Sequence, residues 1–203
     1  MYIPPFNKFE DWQQAISFMQ RYSFATIISV TDGLPVGTHL PFVVKQDGEK
    51  IILLSHFAKA NPQAADIINS RALVIFTEPH AYISPKNYEK EQNVPTWNYL
   101  AVHAYGQCTL LEGEENKASL LEETIKYYDT AYLAQWNGLT AEYKHKMMNG
   151  ITAFRIAVDD LQAKAKLSQN RSGTERENII HSFEGTQNTN EKEMAEYMRS
   201  LKP

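Results

Sequence analysis

Apolar positions along the chain switch between two periods. Over residues 7–22, Phe9, Trp12, Ile16 and Met19 recur at helical spacing, with Asn7 as the N-cap and Glu10 three residues on. From residue 24 the period falls to that of strands. Residues 24–30 form an apolar, β-branched run that ends at the turn chemistry Asp32-Gly33-Leu34-Pro35. A second strand is predicted over 36–44, a turn at Gln46-Asp47-Gly48-Glu49, and a third strand over 50–55. Asn61-Pro62 predicts a helix start, with the helix running to about residue 69. Residues 72–77 and 81–83 read as strands separated by the Glu78-Pro79 break, and 84–95 reads as a polar loop. A long strand over 97–111 places Leu100, Val102, Ala104 and Gly106 on one side and Tyr99, Ala101, His103 and Tyr105 on the other. Both sides look mostly covered, as in a barrel or at a subunit interface.

Helical spacing returns over 114–136, where Leu121, Ile125, Tyr128, Tyr132 and Trp136 form one stripe. A shorter helix over 141–148 stops at Asn149-Gly150, and 151–158 alternates as a strand. A polar run over 166–173 precedes two short helices. Thr174 with Glu177 predicts the cap of the first and Asn190 with Glu193 that of the second, which Met194, Tyr197, Met198 and Leu201 could dock. Seven or eight strands with interspersed helices make the class α+β with a barrel-like sheet.

Composition narrows the class without naming a function. With 203 residues, 43% hydrophobic and 22% charged, the chain is globular rather than disordered or fibrous. No apolar run is long enough for a spanning helix. The start Met1-Tyr2-Ile3-Pro4-Pro5 lacks the pattern of a secretory signal, and the single cysteine, Cys108, forms no internal disulfide, so a cytoplasmic setting without membrane contact is expected. The net charge of −4 argues against a chain that grips nucleic acid by itself. No basic tail is masked by that average: from residue 161 onward there are seven basic and six acidic residues.

Several chemistries have no sequence support. Cys-x-x-Cys, His-x-x-x-His, Gly-x-Ser-x-Gly and glycine-rich phosphate loops do not occur, so no metal site is expected. His39, His56, His80 and His103 read as structural histidines, and Cys108 as a buried one. Three segments are more pointed. Residues 55–62 place a hydroxyl, an imidazole, an ammonium and a capping amide between a strand end and a helix start, a pattern suited to an anion or simply to a capped helix. Residues 94–99, leading into 102–106, offer Trp97, Tyr99 and Tyr105 as flat surfaces and Thr96 and Asn98 as hydrogen-bonding groups, or as core packing. Residues 166–172 carry Lys166, Ser168, Gln169, Asn170 and Arg171 as donors, in a ligand loop or an exposed one.

Taken in order, Gly37-Thr38-His39-Leu40-Pro41, residues 56–62, Pro79-His80-Ala81-Tyr82-Ile83-Ser84-Pro85, residues 94–99 and residues 166–172 resemble the PaiB family of FMN-binding negative transcriptional regulators, over nearly the whole chain. The resemblance implies a split β-barrel of the FMN-binding type, with flanking helices and a C-terminal helical extension. Such folds are similar to pyridoxamine-phosphate oxidases and flavin reductases. It implies a barrel domain over 1–165, with a polar loop and helical extension over 166–203 packed on it, and a homodimer holding FMN in a groove between subunits. Carried over by position, Ser55, His56, Lys59 and Asn61 are implied at the FMN phosphate; Ser55 stands where the family pattern leads one to expect glycine, which narrows the approach to that turn. Thr96, Trp97, Asn98 and Tyr99 are implied near the isoalloxazine or the dimer seam, and Lys166, Gln169, Asn170 and Arg171 at the phosphate or the ring. No catalytic residue is assigned. Two alternatives use the same resemblance: an FMN-dependent oxidoreductase, and, more weakly, a haem-binding protein. For a transcriptional role, the charge balance and the carboxylates Glu191, Glu193 and Glu196 point to an indirect route or a protein partner rather than direct DNA binding.

Overall fold

The computed structural model describes residues 1–9, 11–68 and 70–200. Seven strands form one sheet: β1 (Phe24–Thr31), β2 (Leu34–Pro41), β3 (Val43–Asp47), β4 (Lys50–Ala58), β5 (Arg71–Ile83), β6 (Thr96–Leu110) and β7 (Ile151–Lys166). Their order across the sheet is β2-β1-β5-β6-β7-β4-β3. The pairs β1–β2, β1–β5, β3–β4 and β4–β7 are antiparallel. Seven α-helices accompany them among the described residues: α1 (Trp12–Arg21), α2 (Gln63–Ile67), α3 (Glu114–Tyr128), α4 (Tyr132–Gly138), α5 (Ala141–Asn149), α6 (Gly173–Glu184) and α7 (Thr189–Ser200). No described helix is long and apolar enough to cross a membrane. The α+β class expected from the alternating periods is what forms.

Several boundaries differ from the sequence reading, each for a local reason. The first helix begins at Trp12 rather than at Asn7, because Asp11 Oδ1 accepts the Gln13 N–H at 2.9 Å and so supplies the cap. Asn7 instead ends a single 3-10 turn and is buried, while Glu10 lies outside the described residues. The predicted strand 36–44 divides at Phe42. That side chain is fully buried, with ring centroids 5.9 Å from Phe76 and 6.2 Å from Phe154, so the chain turns inward and β3 pairs with β4 instead of β1. β4 runs on to Ala58, which places Ser55 and His56 inside a strand. The strands expected on either side of Glu78-Pro79 are one strand, β5, which contains that cis peptide. The helix expected over 114–136 breaks after Tyr128: Asp129 leaves the helical region at φ −152° and its carboxylate accepts the Tyr132 N–H at 3.2 Å, starting α4. β7 extends eight residues past the expected end at 158, because its polar positions still alternate. The C-terminal caps are Ser172, whose Oγ accepts from the Glu175 N–H at 3.2 Å, and Asn188, whose Oδ1 accepts from the Asn190 N–H at 3.0 Å. Met194 and Met198 are buried as expected, and Leu201 lies outside the described residues.

The chain divides into two compact units. The first comprises Met1–Ala15, Thr77–Val102 and Gln162–Pro203. Its core holds Ile83, Leu100 and Val102 from the strands and Ile179, Ile180, Phe183, Met194 and Met198 from α6 and α7. The second comprises Ile16–Phe76 and His103–Leu161. Its core is aromatic: Phe42 is joined by Phe57, which stacks on Phe154 at 4.9 Å, and by Ile27, Leu53, Val74 and Ile156. Here the alternation of β1 (Ala25, Ile27 and Ser29 buried; Phe24 and Val30 exposed) leaves the opposite side of the strand open.

Close pairing in this second unit depends on Gly106. A Cβ there would lie 2.8 Å from both the Ala157 carbonyl carbon and Ile156 Cγ2, so no side chain fits without parting β6 from β7. Gly106→Ala is expected to lower stability by about 1–3 kcal/mol, the usual cost of overpacking, measured by urea unfolding. An unchanged midpoint would show that the two strands can separate freely.

Candidate functional site

Within the first unit, β6 begins with Thr96, and strand alternation puts Trp97 and Tyr99 on one face and Asn98 on the other. Trp97 is half exposed, with its ring 5.9 Å from His80 and 5.8 Å from the half-exposed Tyr82 of β5. Tyr99 lies under the Lys164 ammonium, 5.0 Å from the ring centroid. Lys164 and Lys166 share a face of β7, two residues apart. Lys166 Nζ donates to Thr96 Oγ1. Burial holds the Lys166 ammonium below its ordinary pKa, a shift opposed by Tyr99 and reinforced by the neighbouring Lys164 charge. The result is a row of flat rings bordered by two cations.

The remaining predicted residues of this unit serve the scaffold. Asn98 is fully buried; its Oδ1 accepts from Ser168 Oγ at 3.1 Å and its Nδ2 faces Met198 Sδ at 3.5 Å. Gln169 staples its own loop, accepting the Leu167 N–H at 2.7 Å and donating to the Ala165 carbonyl. Ser168 takes the left-handed conformation (φ 60°) that this tight turn requires. Asn170 is exposed at the tip. Arg171 donates to Asn93 Oδ1 at 2.9 Å, covers the Tyr88 ring at 3.8 Å and lies 3.7 Å from Glu175, so it latches the 84–95 loop to the start of α6. Ser172 Oγ to Glu89 (2.8 Å) and the Glu89 N–H to Glu175 (3.2 Å) complete that latch.

In the second unit, Ser55 is buried and donates to the Pro41 carbonyl at 2.7 Å. His56 faces the open side of β4, opposite Ala153, and burial pushes its imidazole below the ordinary value of 6.5. Lys59 is exposed, and its backbone N–H donates to the Gly150 carbonyl at 2.8 Å. Asn61 Oδ1 accepts the Gln63 N–H at 3.0 Å while Nδ2 donates to Thr38 Oγ1 at 3.0 Å. Behind it, Gln63 is 1% exposed; its carboxamide accepts from Thr38 Oγ1 at 2.5 Å and reaches Ser29 Oγ at 3.1 Å and the Val36 carbonyl at 3.0 Å. This knot ties α2 to β1 and β2. The helix behind the Asn61 cap has only five residues, too short for a strong dipole at its start, so charge here rests on the Lys59 ammonium. The twelve predicted residues therefore divide between the units, four in the second and eight in the first.

Sequence reasoning missed Lys164, Tyr82, His80 and Gln63 as functional or supporting groups. The alternation Gln162-Ala163-Lys164-Ala165-Lys166 was a usable signal, obscured by ending the strand at 158. Cys108 is fully buried and its thiol is pushed up to about 12 by burial, which leaves it inert as a nucleophile.

Comparison with known proteins adds what geometry alone does not. A family model described as "Putative FMN-binding domain" matches residues 1–160. The Bacillus subtilis protein named protease synthase and sporulation protein PAI 2 is 40% identical over 202 residues, covering 98% of this chain and 96% of the relative. The chain belongs to the PaiB family. An uncharacterised protein of Emericella nidulans is 31% identical over 72% of this chain and 74% of its own length. Among solved structures, the FAD and haem binding protein of Mycobacterium smegmatis superposes with a TM-score of 0.61 at 16% identity, covering 79% of this chain and 73% of that one. A flavocytochrome of Azotobacter vinelandii gives a TM-score of 0.61 at 14% identity, covering 85% and 73%. These likenesses establish the fold, a split β-barrel of the flavin-binding type, as the PaiB resemblance implied.

FMN is the cofactor of this family's domain, and the residues present fit its chemistry. A tricyclic ring needs a flat wall with donors at its polar edge, and a phosphate needs cations or N–H groups. The first unit by itself supplies the Trp97–Tyr82–His80 rings with Thr96, Lys164 and Lys166.

The His56 environment gives a pH dependence. Because burial lowers its folded pKa, the unfolded chain takes up a proton first as pH falls below 6.5, so stability declines from there until the folded value is reached. Urea midpoints measured from pH 7.5 to 5 should fall more steeply in the wild type than in His56→Gln. Parallel slopes would place the imidazole in solvent.

Proposed function

We propose that this PaiB-family protein is a homodimeric, cytoplasmic FMN-binding regulator that acts on transcription without gripping DNA through its own surface. The observation that carries the cofactor part is the half-exposed ring cluster of Trp97, Tyr82 and His80 beside two lysines, in a chain whose first 160 residues match an FMN-binding family. When bound, FMN supplies redox chemistry or a redox-sensitive shape; the chain's own residues bind it and orient it. Trp97 and Tyr99 are proposed as ring contacts and Thr96 as a donor, with two candidate segments for the phosphate, His56, Lys59 and Asn61 in one and Lys166 in the other. Ser55, Asn98, Gln169 and Arg171 hold those groups in place through the hydrogen bonds described above. Asn170 is proposed as an accessory donor from the loop tip.

The regulatory reading takes support from the 40% identical Bacillus relative, whose name refers to protease synthesis and sporulation. Direct DNA docking is disfavoured by charge. Arg199 is engaged by Glu184 at 2.7 Å and Glu177 at 3.5 Å, and Arg176 donates to the Met198 carbonyl at 3.0 Å. The exposed side of α7 then offers Lys192 against Glu196, with Glu191 and Glu193 half exposed. A protein partner, or a ligand whose level the protein controls, fits this surface better.

Dimerisation is supported by the open side of the second unit's strands. Ile28 of β1 lies opposite Leu73 of β5 and Thr26 opposite Ile75, and on the same side of β1 Phe24 and Val30 are about two-thirds exposed. Exposed apolar side chains of this kind, interrupted by Thr26, are what a second copy would bury.

Three measurements test this reading. Titration with FMN should give saturable binding with twin flavin absorption bands, weakened about tenfold or more by Lys59→Ala or Trp97→Ala; a Soret band without flavin bands would assign haem instead. Sedimentation should give twice the 23.2 kDa chain mass, reduced to monomer by Val30→Asp at an already exposed position; a monomeric wild type would contradict the dimer. Gel shifts should show no salt-sensitive, sequence-specific complex, and one would establish direct binding.

A further inference from the structure

The two β7 lysines of the first unit are costly as they stand. Lys164 is only 7% exposed, and among the described residues its ammonium has one hydrogen-bond acceptor, the Tyr2 carbonyl at 3.2 Å, for three N–H donors. The rings of Tyr99 at 5.0 Å and Tyr2 at 5.8 Å add cation–π contact but no counter-charge. Lys166 stands two residues along on the same face and donates only to Thr96. Neither lysine has a carboxylate partner among the described residues. Glu78, the acidic residue nearest the ring cluster in sequence, is turned to His80 at 3.8 Å. Two neighbouring ammoniums, one on a residue that is only 7% exposed, repel each other and have no counter-charge among the described residues. An anion between them would supply one.

The surroundings restrict the anion. The same face carries Trp97 and Tyr99 on β6 and Tyr82 and His80 on β5, so an oxyanion held by the lysines has flat rings beside it. The cover over Lys164 is the N-terminal segment. The Met1 ammonium donates to Gln162 Oε1 and the Phe9 N–H reaches the Ala163 carbonyl at 3.4 Å, while Tyr2 itself is 83% exposed. An anion at this edge would add to the single Tyr2 carbonyl acceptor of Lys164.

We propose that Lys164 and Lys166, with Trp97 and Tyr99, form a site for a planar aromatic oxyanion, a flat ring bearing a phosphate or carboxylate, in which the two ammoniums bracket the anionic group and the rings carry the flat part. The proposal deepens the FMN reading, on which it rests for one of two sources of that chemistry: the phosphate of FMN itself, or a separate aromatic acid.

Calorimetric titration with two matched pairs separates these sources. FMN and riboflavin differ in the phosphate, and naphthoate and naphthamide in the carboxylate. The proteins are wild type, Lys164→Met, Lys166→Met and the charge-preserving Lys164→Arg, each checked for folding by circular dichroism. The expected result is that the wild type prefers the anionic member of at least one pair by about tenfold or more. Either methionine variant should lose that preference, and Lys164→Arg should retain it. Loss on the FMN pair assigns the site to the cofactor phosphate, and loss on the naphthoate pair assigns it to a separate aromatic acid. FMN bound equally by wild type and variants, with no preference for naphthoate, would overturn the proposal while leaving the FMN reading intact. Lysine-dependent naphthoate binding without any FMN binding would do the reverse.

Discussion

Strand alternation is the constraint on which the functional reading rests. In an extended strand, successive side chains must point to opposite faces, so each apolar residue sent into the core sends its neighbour out of it. Along β6, the buried series Asn98, Leu100, Val102, Ala104, Gly106 and Cys108 fixes the presentation of Trp97, Tyr99, His103 and Tyr105. Along β7 the same rule turns Lys164 and Lys166 to one face. A one-residue slip would invert every one of these assignments. Gly106, with no room for a Cβ beside Ala157, is one local feature that resists such a slip.

Each unit uses side-chain hydrogen bonds to fasten its loops and helices around the candidate residues. In the second unit Gln63 satisfies its carboxamide within α2, β1 and β2, and Asn61 is positioned by that knot. In the first, Arg171, Glu175, Glu89 and Asn93 fasten the polar loop to α6, close to the strand end from which Lys166 projects. Such hydrogen-bonded networks favour one arrangement over its competitors. Lys164 and Lys166 are different in kind, because among the described residues their hydrogen bonds leave the charge unanswered.

Much of this was legible in the sequence, and the failures have physical causes. The β-branched run of β1, the two-sided alternation of β6 and the helix stop at Asn149-Gly150 follow from local chemistry. The family was legible as well, because its five motifs occur in order. Boundaries set by tertiary packing were not. Phe42 divides a run that looks continuous because three aromatic rings draw it inward, and polar residues end β7 only in appearance because pairing carries the strand to Lys166. Asp129 and Ser172 were overlooked as caps, although both are standard capping residues. At the candidate site, residue types were legible but not their neighbours: Arg171 donates to Asn93 and Asn98 accepts from Ser168, contacts that no local pattern announces. Lys164 carried no motif, and only its burial beside Tyr99 reveals it.

The central claim is that the outward rings of β6 receive a flat ligand, and Trp97 can report this itself. In a protein carrying Trp12→Phe and Trp136→Phe, Trp97 is the sole tryptophan. FMN binding, followed independently through the flavin's own fluorescence, should then quench the remaining indole emission in a saturable manner with the same midpoint. Saturable flavin binding that leaves the Trp97 emission unchanged would place the cofactor elsewhere and contradict the account.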